Sequence, residues 1–118
     1  MRAVRGAIQV PSDTPEALRV SVPRLLGEML RVNVLSFEDV VSILFTSTPD
    51  LVSDFPAAAA RTLPVGEIPL ICAAEIQVPG ALERVVRVMM YVETTKLRSQ
   101  MKHVYLDGAE VLRRDLAQ

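Results

Sequence analysis

The sequence predicts an α+β domain in which a mixed β-sheet packs against helices. Three observations carry that prediction. Arg2–Val10 alternates in character and Val85–Val92 is densely β-branched, as strands are. Between them, Leu18 to Leu30 repeats its apolar residues at helical spacing. Strand-like and helix-like stretches also alternate irregularly, without the strict order of a parallel α/β fold. The 118 residues suit a single domain, 1–118.

In chain order, Arg2–Val10 sets Val4, Ile8 and Val10 on one side of a first strand and Arg5, Ala7 and Gln9 on the other. Ser12-Asp13-Thr14-Pro15-Glu16 carries helix-start chemistry. Either Thr14 caps with Pro15 at the first helical position, or Asp13 caps with Glu16 reaching back. Leu18, Val22, Leu25, Leu26, Met29 and Leu30 form the stripe of the helix that follows. Pro23 falls inside it, at a cost of about 3 kcal/mol, and is expected to bend or interrupt it. Ser36-Phe37-Glu38-Asp39 opens a short turn, and Val40–Thr46 is a second strand.

Thr48-Pro49-Asp50 and Asp54-Phe55-Pro56 then punctuate the chain. Pro56–Arg61 is a short alanine-rich helix that Pro64 stops. Leu70–Val78 is a third strand containing Cys72 and Glu75, and Pro79-Gly80 opens a turn or a helical segment through Glu83. Val85–Val92 follows as a strand. Lys96–Lys102 is a polar loop or helical turn. Val104–Leu106, Asp107-Gly108 and Ala109–Leu112 predict a hairpin, because Asp-Gly supplies the positive φ angles of a tight turn.

Composition narrows the function classes. Half of the chain, 50%, is hydrophobic, yet there is no Trp, so the core must be aliphatic. With 13 basic against 14 acidic residues, a role driven by net charge on nucleic acid or a membrane surface is disfavoured. No apolar run approaches the roughly 20 residues of a membrane helix, and the N-terminus lacks a signal-peptide core. One cysteine, Cys72, forms no internal disulfide and points to the cytoplasm. One His and one Cys leave no ordinary zinc site. A chain this short also leaves much surface uncovered, which association between subunits commonly relieves.

Arg87 is the chief anomaly. In Val85-Val86-Arg87-Val88-Met89-Met90 its neighbours favour burial, whereas a guanidinium stays charged. It either meets a carboxylate or a ligand, or lies on a solvated sheet face. Arg5 is similarly placed on the first strand. Arg61 ends the alanine-rich helix, where the helix dipole alone explains it, and Arg113 and Arg114 fit surface charge equally well. Glu75 is unusual in an apolar strand and would serve as a partner for an arginine. Cys72 resembles a buried small residue more than a nucleophile, and His103 has no motif linking it to Cys72. Tyr105 suits a hairpin core residue with its hydroxyl at the edge.

Taken together, Arg5-Gly6-Ala7, Thr48-Pro49-Asp50-Leu51, Phe55-Pro56-Ala57 with Arg61, Arg87-Val88-Met89-Met90, His103-Val104-Tyr105-Leu106 and Val111-Leu112-Arg113 resemble, in order and spacing, the monofunctional chorismate mutases first typified in bacilli. The resemblance runs from Arg5 to Leu116. It implies conversion of chorismate to prephenate, on the branch toward phenylalanine and tyrosine. It also implies a homotrimer with a pseudo-α/β-barrel centre and active sites between subunits. The reaction is an intramolecular Claisen rearrangement, so neither metal nor cofactor is expected.

The same resemblance implies residue roles. Arg87 would hydrogen-bond the ether oxygen, while Arg5 and Tyr105 bind carboxylate and orient substrate. Glu75 and Cys72 would lie near the ring hydroxyl, with Glu75 offsetting positive charge on the ring. Phe55, Arg61, Leu112 and Arg113 would line the cleft. Ala58 and Ile71 depart from the family's usual longer charged and hydroxyl residues, and Arg113-Arg114-Asp115-Leu116 departs from its Arg-Pro-Asp-Leu ending. Two other functions compete: a non-catalytic trimeric carboxylate binder, and an interaction domain in which Arg87 pairs structurally with Glu75 or another acid.

Overall fold

The computed structural model describes residues 1–115, with side chains through Arg113; Leu116 and the Arg114 and Asp115 side chains of the tail motif lie outside the described residues. Strand β1 spans Arg2–Gln9, β2 Val40–Ser47, β3 Leu70–Ala74, β4 Val85–Val92 and β5 Val104–Leu106. Helices α1, α2 and α3 span Pro15–Asn33, Pro56–Ala60 and Glu110–Asp115. The strands form one mixed sheet in the order β3-β2-β4-β1-β5. Antiparallel pairs join β4 to β1 and β2, and parallel pairs add β5 and β3 at the edges.

Helix α1 begins at Thr14, whose hydroxyl accepts the Ala17 N–H at 3.1 Å, with Pro15 as the first helical residue. This is the first of the two predicted caps. Asp13 instead accepts the Val52 and Ser53 N–H groups, tying the loop before α2 to the start of α1. Of the two outcomes expected at Pro23, a bend or an interruption, the interruption does not occur, and α1 runs on through it. Leu18, Val22, Leu25, Leu26 and Met29 are all fully buried along the stripe. At about 1.5–3 kcal/mol each, their burial outweighs the roughly 3 kcal/mol cost of one internal proline.

The core lies between α1 and α2 and one face of the sheet, which contributes Val4, Ile8, Ile43, Phe45, Val86, Val88, Met90 and Val92. It is aliphatic apart from Phe45, as the composition requires. Gly6 permits the close approach of α1: a Cβ there would collide with the Met29 sulfur and come within 3.2 Å of Leu25.

Two predicted elements differ. β3 ends at Ala74, not Val78, because its partner β2 ends at Ser47; after the Glu75 N–H bonds the Ser47 carbonyl at 2.9 Å, the ladder has no further partner. The predicted terminal hairpin is also replaced. Asp107 and Gly108 do take the positive φ angles of a tight turn, and the Ala109 N–H bonds the Leu106 carbonyl at 3.0 Å. The chain then enters α3. Ala109 and Leu112, three apart, pack as one helical stripe against Ala7 and Val85.

One clamp fixes the approach to β5. Asn33, buried at the end of α1, accepts the Lys102 N–H at 2.8 Å and donates to the Lys102 carbonyl at 2.9 Å and the Met29 carbonyl at 2.8 Å. The next residue, Val34, takes a left-handed φ of 56°, a conformation costly for a β-branched side chain and held here by its surroundings. Asn33→Leu keeps the shape but strands these groups. It is expected to cost about 3 kcal/mol and lower Tm by roughly 10–20 °C. A thermal melt within about 3 °C of the parent would refute the clamp.

Candidate active site

The sheet face away from α1 carries the candidate residues. Register sets Tyr105 beside Ala7, Ala7 opposite Arg87, and Arg87 opposite Thr46, one row across four strands. Side chains in such a row share a face, because every alternate position on each strand points the same way. Arg5 lies two residues along β1 from Ala7, opposite Met89. Arg5, Arg87, Thr46, Tyr105, Leu44 and Met89 line one cavity of about 270 Å³.

Arg87 meets a carboxylate after all. Its Nε lies 3.3 Å from Glu75 Oε2, and the same oxygen accepts the Thr46 hydroxyl at 2.6 Å. Glu75 is 14% exposed and Arg87 46%, so the acid is the anchored partner and the guanidinium reaches outward. Among the described residues, Glu75 is the acid in Arg87's ion pair and engages Nε. As a contribution to stability such a half-exposed pair is worth little; its effect is to orient a cation beside an apolar-walled cavity.

The other predicted residues fall into separate places. Cys72 pairs in register with Phe45, so it faces the core side of the sheet, opposite Arg87. With Phe55 it lines a second cavity of about 380 Å³. Phe55 is 69% exposed at the start of α2, where Pro56 begins the helix, and exposed Arg61 closes that helix. Arg113 projects from α3 into a third cavity of about 460 Å³, together with Tyr105, His103, Lys102 and Glu28. Leu112 is buried and packs beside Tyr105 and Ala7, backing the tyrosine from within. Thus Arg5, Glu75, Arg87 and Tyr105 converge in one chain, whereas Cys72, Phe55 and Arg61 lie elsewhere on it.

Two participants were missed in the sequence. Thr46 gave no signal, because its place beside Arg87 depends on the β2–β4 register. His103 was visible as the lone histidine, but its contact with the Arg5 backbone joins residues at opposite ends of the chain.

A fork-shaped cation braced by a carboxylate, with a second arginine and a phenol around the same apolar walls, suits an anionic substrate that develops negative charge on an oxygen. Residues 1–116 match the family described as Chorismate mutase type I. The chain belongs to that family. It is 44% identical over 117 residues to the chorismate mutase AroH of Thermus thermophilus, covering 98% of this chain and 96% of that one. It is 41% identical over 118 residues to the chorismate mutase AroH of Bacillus subtilis, covering 99% and 93%. A solved chorismate mutase from Clostridium thermocellum superposes with a TM-score of 0.90 at 46% identity, covering 92% of this chain and 97% of that chain. The bacillus-type resemblance and the mixed α+β fold are thereby established for a chorismate mutase chain of this type.

Proposed function

We infer that this chain converts chorismate to prephenate, and that Arg87, with Glu75 at its Nε and its side chain lining the cavity, carries the chemistry. The rearrangement is unimolecular: the ether C–O bond breaks as a C–C bond forms within one molecule. No covalent intermediate is required. Catalysis consists of holding the substrate in its compact conformer and stabilising charge on the ether oxygen. Arg87 donates to that oxygen. Glu75 braces Arg87 and offsets positive charge on the ring, and Arg5 and Tyr105 hold carboxylate. Cys72 sits near the ring hydroxyl, while Phe55, Arg61, Leu112 and Arg113 complete the walls. The single half-buried thiol suits a cytoplasmic enzyme.

The separation of the two residue groups supports a homotrimer with sites between subunits. Cys72 and Arg87 lie on opposite faces of one sheet, so a substrate touching both groups needs a second chain. Ile71, on the same face as Thr46 and Arg87, is 65% exposed, which leaves apolar surface for a neighbouring copy to cover. Family membership disfavours the non-catalytic binder. The deciding experiment incubates pure protein with chorismate and follows its loss with prephenate formation. Turnover should exceed background by orders of magnitude at micromolar enzyme; none would end this reading. Sedimentation should give a trimer, and a fully active monomer would contradict the shared site.

A further inference from the structure

We propose that His103 is a positioning residue, held with its proton on Nε2, that fixes the β1 backbone at Arg5 and so aims the Arg5 guanidinium. The proposal rests on the reading of Arg5 as a carboxylate-binding group and adds the device that sets it. The Arg5 N–H donates to His103 Nδ1 at 2.9 Å. A backbone N–H only donates, so Nδ1 must be unprotonated and the neutral ring carries its hydrogen on Nε2.

The location explains why a side chain is needed. The parallel β1–β5 ladder begins at Gly6 and Val104, so at Arg5 the backbone of β5 no longer pairs and the imidazole takes its place. His103 is itself held, because Asn33 grips both backbone groups of Lys102 immediately before it. A chain of contacts therefore runs from the end of α1 through Lys102 and His103 to Arg5.

The surroundings favour the neutral ring. Arg5 faces it from β1 and Arg113 from α3. Lys102, Tyr105 and Glu28 of α1 share its cavity on one side, and Arg2, Arg98 and Tyr91 on the other. Glu28 has both carboxylate oxygens engaged by Arg31. Partial burial first, then Arg5 and Arg113, hold the imidazole below its ordinary value of 6.5. Since the folded state resists protonation, the Arg5 bond is intact above pH 6.5 and is lost as pH falls through the lowered value.

This is the protein's one histidine, so its ring nitrogens can be followed by NMR without ambiguity. The expected result is an unprotonated Nδ1, a protonated Nε2 and a midpoint below 6.5. Kinetically, His103→Leu should lose about tenfold in kcat/KM, chiefly through KM. His103→Asn places an amide oxygen where Nδ1 was; it should recover most of that loss and lack the acid limb expected of the parent. A proton on Nδ1, a parental KM in His103→Leu, or an unchanged acid limb in His103→Asn would overturn the proposal. If the tautomer is as expected but Arg5→Ala leaves KM unaltered, the carboxylate reading of Arg5 fails, and the aiming role with it.

Discussion

Arg87→Lys is expected to lower kcat by about 10²–10³-fold while KM changes only severalfold. In the proposed site the guanidinium divides its work between two partners: Nε faces Glu75 at 3.3 Å, and the terminal Nη groups are assigned to the substrate. Lysine offers one nitrogen, and the nearby Glu75 carboxylate, already fixed by the Thr46 hydroxyl, would hold it away from the ether oxygen. Charge on that oxygen peaks in the transition state, so its loss falls on kcat more than on ground-state binding. Arg87→Ala should be slower still. Steady-state kinetics with chorismate reads the difference directly. A loss confined to KM, with kcat intact, would reduce Arg87 to an anchor for a carboxylate.

Arg87 itself was legible in the sequence, with Glu75 open as the partner of one of the arginines, and the reasons are local. Val85–Val92 is an apolar, β-branched run, so a strand was clear and Arg87 stood out within it as its one charge. The helix stripe from Leu18 was equally clear, because burial of five side chains outweighs one proline. What the sequence did not disclose depends on neighbours. β3 stops at Ala74 because β2 stops at Ser47, a condition no residue in 70–78 records. Asp107-Gly108 encodes its turn locally, but Ala109 and Leu112 satisfy a short strand or a helical stripe equally well. Packing against Ala7 and Val85 decided for the helix. The opposed faces of Cys72 and Arg87, and the contact of His103 with Arg5, are likewise facts of register.

Chains carrying Arg87→Ala, mixed with chains carrying Arg61→Ala and reassembled, should recover about a quarter of parental activity. Arg87 stands on the sheet face away from α1, whereas Arg61 ends α2, which packs on the α1 side. If both touch one substrate, they belong to different subunits. Each variant alone then has one defective half in every site. Arg61→Ala should lose about 10- to 100-fold through a missing charge-assisted contact, and Arg87→Ala considerably more. In a random mixture of the proposed trimer, roughly one site in four would join an intact Arg87 to an intact Arg61, and its rate would exceed that of both parents. A site built within one chain behaves differently, because every site then retains one of the two defects. Mixing would yield no more than the average of the separate variants, and that outcome would exclude the shared site.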